Sequence, residues 1–395
     1  MNLQDFVGGS YPAQSKNANN QRTINWVPTI SGTPGAEGKT PLILVGAPGM
    51  ELWKTLGDQP IRGLHTVGNV LYAVTGQTVY KVLNNKIATN IGTLETTGGK
   101  VWIEHNANNE VGFVDGKRLY IYNSLTDTFF QPSPQPVLQP TSLMFINQRF
   151  VVSMENSMFF AISDINNGAG WDPTQIAAAE SDPDPLQVVW NLHRQIYLLG
   201  TQTTEIWYDA GTSPFPFQPT SGVIDWGIVA VNSAAQVADT LAWLGIHKDG
   251  GISVVAASGL QATVISTPGL EARWSAYRTV SDAFAFSYRL DGNDCYVITF
   301  GAGGETFIYD FTTALWHERT SYDIGAWVSN EGVRFVNKQL VGDRTQGNIY
   351  RMSANIYHEN GSPIVKTRRS PHIWNERKRF TVAALEVEFE TGVLS

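Results

Sequence analysis

An aromatic or apolar strand position returns along the 395-residue chain every 40 to 55 residues, and this period constrains the fold more than any other feature. Each return ends a similar stretch, in which two apolar strands separated by a Gly or Asn turn are followed by a polar turn and a third strand. The third strand carries a marker residue, and the seven markers are Tyr80, Tyr120, Phe160, Trp207, Val254, Tyr309 and Tyr350. Such a period is typical of a β-propeller, whose blades must stack in a ring to bury their faces.

Short strands bounded by turn signals fill residues 41–352, and we predict an all-β propeller over this range. Seven repeats favour seven blades. The fifth repeat, Asp239–Ala257, resembles the others least, so six blades with a closing or accessory unit is the alternative. We expect Leu42–Lys54 to pair with the last repeat, because an open propeller would leave bare strand edges.

The two ends of the chain lack the blade pattern. Residues 1–40 are polar and rich in Asn and Gly, which predicts an extended N-terminal arm. Residues 353–395 contain alternating strands that end with Val382–Phe389, which predicts the start of a C-terminal β domain that is incomplete in this chain. Capping residues and apolar spacing predict two helices between blades, over Asp172–Glu180 and Leu270–Thr279.

Composition limits the environment and the partners of the chain. The single Cys295 excludes an intramolecular disulfide, and a buried structural thiol is expected there. No apolar run approaches the ~18 residues that a membrane-spanning helix needs. The formal net charge of −8 argues against general affinity for nucleic acid. The charge is uneven, since residues 366–395 hold six basic and four acidic groups, whereas the rest of the chain holds 21 basic and 31 acidic groups.

No motif predicts a catalytic residue, a cofactor or a metal site. Gly301–Gly304 could cradle a phosphate, but a strand follows it rather than a helix, which favours a hairpin turn. Asp164–Gly168 departs from a calcium loop in the place of its Gly and at the twelfth position. The seven histidines are scattered singly, without the HxxxH or HxH spacing of metal sites. With 35 acidic residues in the chain, an accidental pair of carboxylates like that of a glycosidase stays open.

Both terminal regions contain residues that are costly to leave in water or that suit an acidic partner. Aromatic side chains favour interfaces, and the basic run near the C-terminus could face the acidic propeller of a neighbouring copy, or nucleic acid as an alternative. The candidate assembly contacts are Trp26, Lys366, Arg368, Arg369, Trp374, Arg377, Lys378 and Arg379. We expect the arm and residues 353–395 to contact other subunits or an adaptor rather than their own blades.

Several motifs along nearly the whole chain, each weak by itself, belong together. The opening motifs are Ser10-Tyr11, Gln21–Trp26 and Ala47–Met50. Later ones are Trp171-Asp172 with Ala179–Asp184, Thr204–Tyr208, Ile265–Glu271 with Tyr277, Phe307–Asp310 with Trp316, Gly342-Asp343 with Gly347–Tyr350, and Ile364 with Arg368 and Glu388–Gly392. With these motifs the chain resembles the packaged-DNA stabilisation proteins that form the tail nozzle, or hub, of short-tailed bacteriophages.

The resemblance implies a structural virion protein that has no catalytic residues and no cofactor. It implies a homo-oligomeric ring, expected to be a hexamer, that lies below the head–tail adaptor protein, extends the DNA channel and retains packaged DNA. Contacts with a tail needle or with tail fibre or spike proteins are implied as well. DNA would pass through the ring without sequence-specific binding. The protein would be made and assembled in the host bacterial cytoplasm and would reside in the tail of the virion. The alternative function is that of a carbohydrate-active or receptor-binding β-propeller.

Overall fold

Seven antiparallel sheets form a closed ring in the computed structural model, which describes residues 6–13, 15, 19–30, 42–181, 183–372, 379, 381 and 384. Successive sheets contact one another through their inner strands or the strands beside them, and the seventh contacts the first through Ser329–Phe335 and Ile61–Val67. The fold is therefore a seven-bladed β-propeller, which confirms the predicted fold class and decides against the six-bladed alternative.

The strands follow the chain in blade order, each blade running from its inner to its outer strand. Before the first blade lie β1 (Tyr11–Pro12), β2 (Asn20–Ile24), β3 (Trp26–Ile30), β4 (Leu42–Gly46) and β5 (Gly49–Thr55). Blade 1 contains β6 (Ile61–Val67), β7 (Val70–Thr75), β8 (Thr78–Leu83) and β9 (Ala88–Thr93). Blade 2 contains β10 (Trp102–His105), β11 (Glu110–Val114), β12 (Leu119–Asn123) and β13 (Thr128–Phe130). Blade 3 contains β14 (Pro140–Ile146), β15 (Arg149–Met154), β16 (Phe159–Ile162) and β17 (Ile176–Ala178).

Blades 4 and 6 also have four strands each, whereas blades 5 and 7 depart from this number. Blade 4 contains β18 (Leu186–Leu192), β19 (Gln195–Gly200), β20 (Thr204–Asp209) and β21 (Phe217–Ile224). Blade 5 contains β22 (Trp226–Ile228), β23 (Ala235–Val237), β24 (Thr240–His247), β25 (Ile252–Ser258) and β26 (Gln261–Val264). After the helix α1 (Pro268–Trp274), blade 6 contains β27 (Phe284–Leu290), β28 (Asn293–Phe300), β29 (Glu305–Asp310) and β30 (Leu315–Arg319). Blade 7 contains β31 (Ser329–Phe335), β32 (Lys338–Asp343) and β33 (Asn348–Ser353), and then follow β34 (His358–Glu359), β35 (Ser362–Pro363) and β36 (Thr367–Arg369).

The N-terminal strand β5 closes the ring by supplying the fourth strand of blade 7. It pairs antiparallel with β33, in the register Tyr350↔Leu52 and Arg351↔Glu51. The expected pairing of Leu42–Lys54 with the last repeat is thus confirmed for the part that lies in β5. The preceding strand β4 pairs with β3 instead, because the turn through Pro48 separates the two strands.

All seven marker residues lie in the third strand of their blades, as the repeat predicts. The fifth repeat is irregular because two short strands, β22 and β23, share the inner position and both pair with β24. A 3₁₀ turn over Val231–Ser233 separates them. Tight hairpins join the strands, and at Asp291-Gly292 both residues have positive φ angles of 50° and 85°, as a two-residue turn of this kind requires.

Buried aromatic side chains fill the spaces between blades. Trp274 stacks on Phe300 at a centroid distance of 5.2 Å and meets Trp316 edge-on at 5.7 Å. Leu270 and Trp274 are one helical turn apart and both are fully buried, so the second predicted helix is confirmed, although it ends at Trp274 rather than Thr279. Cys295 is buried and reduced, as expected. No helix among the described residues is long and apolar enough to cross a membrane.

The predicted helix over Asp172–Glu180 is wrong. The Asp172 carboxylate accepts hydrogen bonds from the backbone N–H and the hydroxyl of Thr174, both over 2.8 Å, and forms a local turn rather than a helix cap. The alanine-rich part enters β17 and pairs with β16, with Phe160 opposite Ala177. Completing the blade satisfies backbone groups of β16 that a helix would leave unpaired, so tertiary pairing overrides the helix propensity of alanine.

The expectation that both terminal regions avoid their own blades is wrong for the residues that the structure describes. The strand β2 pairs with β30 of blade 6, and β36 pairs with β2. The strand β34 pairs in parallel with β5 through Glu359 and Met50. The division into an arm over 1–40, a propeller over 41–352 and a C-terminal unit over 353–395 stays a prediction, and the predicted strand Val382–Phe389 lies outside the described residues.

Candidate functional site

The N-terminal strand β2 continues blade 6 outward. Ile24 pairs in parallel with Glu318 of β30, and the backbone N–H of Asn25 donates to the Glu318 carbonyl over 2.9 Å. The same strand pairs antiparallel with β36, with Arg22 opposite Arg369. Both terminal segments therefore meet at the outer edge of one blade, and we refer to β1, β2 and β36 together as the terminal sheet.

Asn25 holds the bend between β2 and β3. Its φ of 58° lies in the left-handed region, which Asn tolerates better than most residues. The buried side-chain amide donates to the carbonyls of Thr320 over 3.1 Å and of Val365 over 2.7 Å, and its oxygen accepts from the Thr320 N–H over 3.0 Å. One side chain thus ties the bend both to blade 6 and to the C-terminal segment.

Glu318 is a buried carboxylate that accepts from three side chains outside its own strand. The Ser10 hydroxyl and the Arg22 Nε each donate to Oε1 over 3.0 Å, and a second Arg22 nitrogen pairs with Oε2. Arg273 of helix α1 lies 3.4 Å from Oε2. The hydrogen bond to Glu318 raises the pKa of Arg22 above its ordinary value. This network joins the terminal sheet, helix α1 and blade 6.

A second buried ion pair joins the C-terminal segment to the turn before β5. Arg319 donates to the Glu359 carboxylate over 2.5 Å and to the Pro48 carbonyl over 2.9 Å. The Arg319 guanidinium also lies 5.2 Å from the ring centroid of Trp327. Because both charged groups are almost fully buried, the pair has one defined geometry and holds the described C-terminal segment near the closing strand.

Arg368, one of the predicted assembly contacts, lies within the chain's own terminal sheet. Its guanidinium donates to the carbonyls of Phe6 and Gly9 over 2.5 and 3.1 Å, to the Thr23 hydroxyl over 2.7 Å and to Gln21 Oε1 over 2.8 Å. Burial lowers the pKa of Arg368 to about 10. Arg368 therefore binds the C-terminal strand to the N-terminal one.

The other predicted contacts are distributed between the surface and the undescribed part of the chain. Lys366 places its Nζ 5.2 Å from the ring centroid of the half-buried Trp26, in a cation–π contact. Lys366 itself is exposed, as are Arg369 and Arg379. Trp374, Arg377 and Lys378 lie outside the described residues. Contact of any of these residues with another chain stays a prediction.

The strands β3 and β4 form a two-stranded hairpin next to the terminal sheet. Among the described residues, this hairpin pairs with no further strand. Apolar side chains on it reach solvent, with Ile30 45 % exposed and Ile43 and Val45 each 41 % exposed. Strand edges that no described strand pairs, beside exposed aliphatic side chains, are typical of a surface that another chain covers.

Side chains of blades that are two apart in the ring meet at the inner face of the propeller. Lys100, beside blade 2, pairs with Glu331 of blade 7 over 3.1 Å, although blade 1 lies between them. Trp102 of blade 2 and Trp190 of blade 4 meet edge-on at a centroid distance of 5.7 Å. Burial raises the pKa of Glu331, although the nearby Lys100 opposes this change. These contacts between non-adjacent blades narrow the opening along the propeller axis at this level.

One further cluster of titratable side chains lies on the inner strands of blades 1 and 2. His65 Nε2 is 2.9 Å from His105 Nδ1, and with the Glu104 carboxylate these ligand atoms all lie within 4.8 Å of one another. Burial lowers the pKa of His65 to about 3 and raises the pKa of Glu104 to about 8. The histidine spacing gave no sign of a metal site because the residues lie on different strands. The two histidines are, however, 40 positions apart, which equals the interval from Tyr80 to Tyr120, so the repeat itself places them side by side.

A family model described as the β-propeller of bacteriophage P22 Gp10 matches residues 6–357 of the chain. No curated protein sequence matches it significantly. Virginiamycin B lyase from Staphylococcus aureus is similar in structure, at 9 % identity, with 77 % of this chain and 98 % of that chain covered and a TM-score of 0.50. Its catalytically inactive variant with quinupristin shares 10 % identity over 77 % of this chain and 99 % of that chain, with a TM-score of 0.52. At such identities the similarity concerns the fold alone.

Proposed function

Since the chain belongs to the phage stabilisation family of β-propellers, we propose that it forms a ring-shaped tail nozzle, or hub, below the head–tail adaptor of a virion. The family gives the coarser role, which is that of a structural protein of a phage that stabilises DNA. The family match over residues 6–357 is the observation that carries the proposal. In the ring, the copies extend the DNA channel and retain the packaged genome, and they contact a tail needle or tail fibre or spike proteins.

The narrow axis supports a conduit between copies rather than through one copy. The major groove of duplex DNA alone is about 12 Å wide. Side chains of blades two apart in the ring meet in the contacts of Lys100 with Glu331 and of Trp102 with Trp190, so the space along the propeller axis is narrow. A channel for DNA therefore requires several propellers arranged around a common centre, and closed rings are the usual symmetric solution for a single type of chain.

The hairpin of β3 and β4 supplies the surface for the ring contact. Its exposed aliphatic side chains and unpaired edges suit the burial of apolar area and strand pairing with a neighbouring copy. Lys366 lies near this hairpin, and Arg369 lies on the terminal sheet. Both are exposed and can meet acidic groups of the neighbour. Such rim pairs are individually weak, so the apolar contact provides most of the affinity.

Electron microscopy of assembled tails tests the ring. We expect six copies of this chain around the DNA channel, directly below the head–tail adaptor. Ile43→Asp should reduce the occupancy of the ring at least about tenfold, because it places a charge in an apolar contact. Leu125→Asp is the matched control, since Leu125 is 73 % exposed on a turn of blade 2 and should leave assembly unchanged. Tails with a single copy, or with density for the chain elsewhere in the virion, would contradict the proposal.

We propose further that the protein is not an enzyme, against the rival of a carbohydrate-active propeller. A glycosidase needs two carboxylates about 5–10 Å apart, and neither of two cavities among the described residues is lined by such a pair. One is lined by hairpin residues and by Tyr288 and Leu290, with Asp291 as its single carboxylate. The other, beside Trp274 and Tyr277, has no carboxylate in its lining. Hydrolysis of a glycan panel by the purified protein, abolished by one Asp or Glu substitution, would support the rival.

A further inference from the structure

Three potential metal ligands converge between blades 1 and 2, at a place that the proposed structural role does not use. His65 comes from β6, and Glu104 and His105 come from β10. The two imidazole rings face each other with centroids 5.1 Å apart and planes tilted by 54°. Their nearest nitrogens are 2.9 Å apart, and the Glu104 carboxylate lies within 4.8 Å of both.

We propose that His65 Nε2, His105 Nδ1 and a carboxylate oxygen of Glu104 bind one divalent transition-metal ion. Zn²⁺ is the ion that this ligand set suits best. Two imidazoles and one carboxylate form a ligand set that zinc sites use when a fourth position is left to water. Zinc–nitrogen bonds of about 2.0–2.1 Å at tetrahedral angles place two ligating nitrogens about 3.4 Å apart. The two histidine nitrogens need to separate by only about 0.5 Å to reach this spacing.

The three residues keep part of their surface accessible to solvent. A divalent ion bound by the two neutral imidazoles would place positive charge beside the Glu104 carboxylate, and metal binding keeps each of these ligands deprotonated.

The site is particular to one junction of the ring, although the repeat creates it. The 40-residue interval that separates His65 from His105 leads next to Phe145, which offers no ligand atom. Phe145 instead packs edge-on against Phe150 at a centroid distance of 5.4 Å. An ion would therefore bridge the inner strands of blades 1 and 2 alone, and it would stabilise the contact between them. This inference is independent of the proposed function.

Titration calorimetry of the full chain with Zn²⁺, after removal of bound metal by a chelator, tests the site. We expect one Zn²⁺ per chain, with a Tm that rises by about 3–5 °C at saturating metal. Co²⁺ should bind at the same place and show the visible absorption of a four- or five-coordinate ion. His65→Gln and His105→Gln should each weaken Zn²⁺ binding at least about 100-fold, because each removes a direct ligand.

Two further variants separate this site from adventitious binding. Glu104→Gln is close in size to the wild type, so it should fold and still lose at least about tenfold in affinity. His193→Gln is the matched control, since His193 is exposed on a hairpin of blade 4, and it should bind Zn²⁺ as the wild type does. No binding at 100-fold excess of Zn²⁺ over protein, or binding that survives in both His65→Gln and Glu104→Gln, would overturn the proposal.

Discussion

Glu318 is the residue at which the terminal sheet, helix α1 and blade 6 meet. Its carboxylate, 3 % exposed, accepts from Ser10 and pairs with Arg22 and Arg273. Removing one partner of a buried ion pair costs more than the pair contributes, because the remaining charge stays in a poorly solvated place. The conformation of the N-terminal segment therefore depends on one side chain that lies about 300 residues further along the chain.

Glu318→Gln is expected to lower the free energy of unfolding by about 2–4 kcal/mol. The amide keeps the size of the side chain but leaves the Arg22 guanidinium without this negative partner, whereas Arg273 keeps its pair with Glu305. Urea unfolding measured at neutral pH would show the loss. Glu51→Gln is the control, because Glu51 pairs with Arg351 at the surface, where such a pair contributes less than about 1 kcal/mol. Equal losses in the two variants would contradict the role given to Glu318.

His317 makes stability depend on acidic pH. It is fully buried in β30, and neither ring nitrogen has a hydrogen-bond partner among the described residues. Burial, with a smaller contribution from Arg319, lowers its pKa to about 3. The folded chain holds His317 neutral, whereas the unfolded chain binds a proton below pH about 6.5. The contribution of this residue to stability is therefore complete above pH 6.5 and is lost as the pH falls toward 3.

His317→Leu should reduce the loss of stability between pH 7.5 and pH 5 by about 2 kcal/mol relative to the wild type. The variant has no group at this position that takes up a proton on unfolding, and it keeps an apolar side chain in the core. Urea unfolding at the two pH values measures the difference. His193→Leu changes an exposed histidine and should leave the pH dependence as it is. An unchanged pH dependence in His317→Leu would contradict this, because it would mean that the imidazole has the same pKa in the folded and the unfolded chain.

At the scale of elements, the terminal sheet is joined to blade 6 by few backbone contacts, since β2 has a single paired position with β30, and side-chain contacts add to its stability. Arg368 provides four of these contacts, to Phe6, Gly9, Gln21 and Thr23. The sheet therefore has less local stability than the blades, whose strands are paired along their whole length.

Arg368→Ala should speed amide hydrogen exchange in β2 by about 10–30-fold, because hydrogen bonds from a charged donor are lost. Exchange in blades 1 to 5 should stay unchanged. The control is Arg369→Ala, which removes the exposed neighbour in the same strand and should have no such effect. Hydrogen exchange followed by mass spectrometry resolves the two cases. Faster exchange throughout the propeller would mean that the terminal sheet and the blades unfold together.

The repeat predicted the elements well where pairing is local. Tyr80 and Tyr309 lie on third strands because each blade is a meander of neighbouring strands, and the spacing of turns then determines the order of strands. The helix expected at Asp172–Glu180 failed because a short alanine-rich segment has no periodicity that separates a helix from an outer strand. The third strand of blade 3, β16, has backbone groups that β17 pairs, and this pairing is visible only in the fold.

Contacts between distant parts of the chain could not be predicted from the sequence. The sequence contains the basic residues Arg22 and Arg368, but it does not show that both lie on the same terminal sheet, because their partners are distant in sequence. Lack of blade periodicity indicated correctly that these segments are not blades, yet it did not show what they cover. The cluster of His65 and His105 was missed for a related reason, because motif spacing within one strand cannot detect ligands on adjacent blades.

At the scale of the whole molecule, charge and shape indicate how the protein meets DNA. Residues 1–365 carry ten more acidic than basic groups, whereas residues 366–395 carry two more basic than acidic groups. One of these basic groups, the Arg368 guanidinium, binds to the N-terminal segment of the same chain. The propeller axis is narrowed by contacts between non-adjacent blades, such as that of Trp102 with Trp190. The proposed channel wall, formed between copies, would therefore carry an acidic surface that repels phosphates.

We expect the purified protein to bind a 30-base-pair duplex with a Kd weaker than about 10⁻⁴ M at 150 mM salt, the weak end of ordinary non-specific binding. The net charge of −8 opposes the release of counterions that drives such binding, and a genome can then slide past the wall without adhering. Fluorescence anisotropy of a labelled duplex, measured between 50 and 200 mM salt, tests this expectation. Micromolar binding with a steep salt dependence, lost in the double variant Lys366→Glu with Arg369→Glu, would contradict it and would locate a phosphate-binding surface on the C-terminal segment.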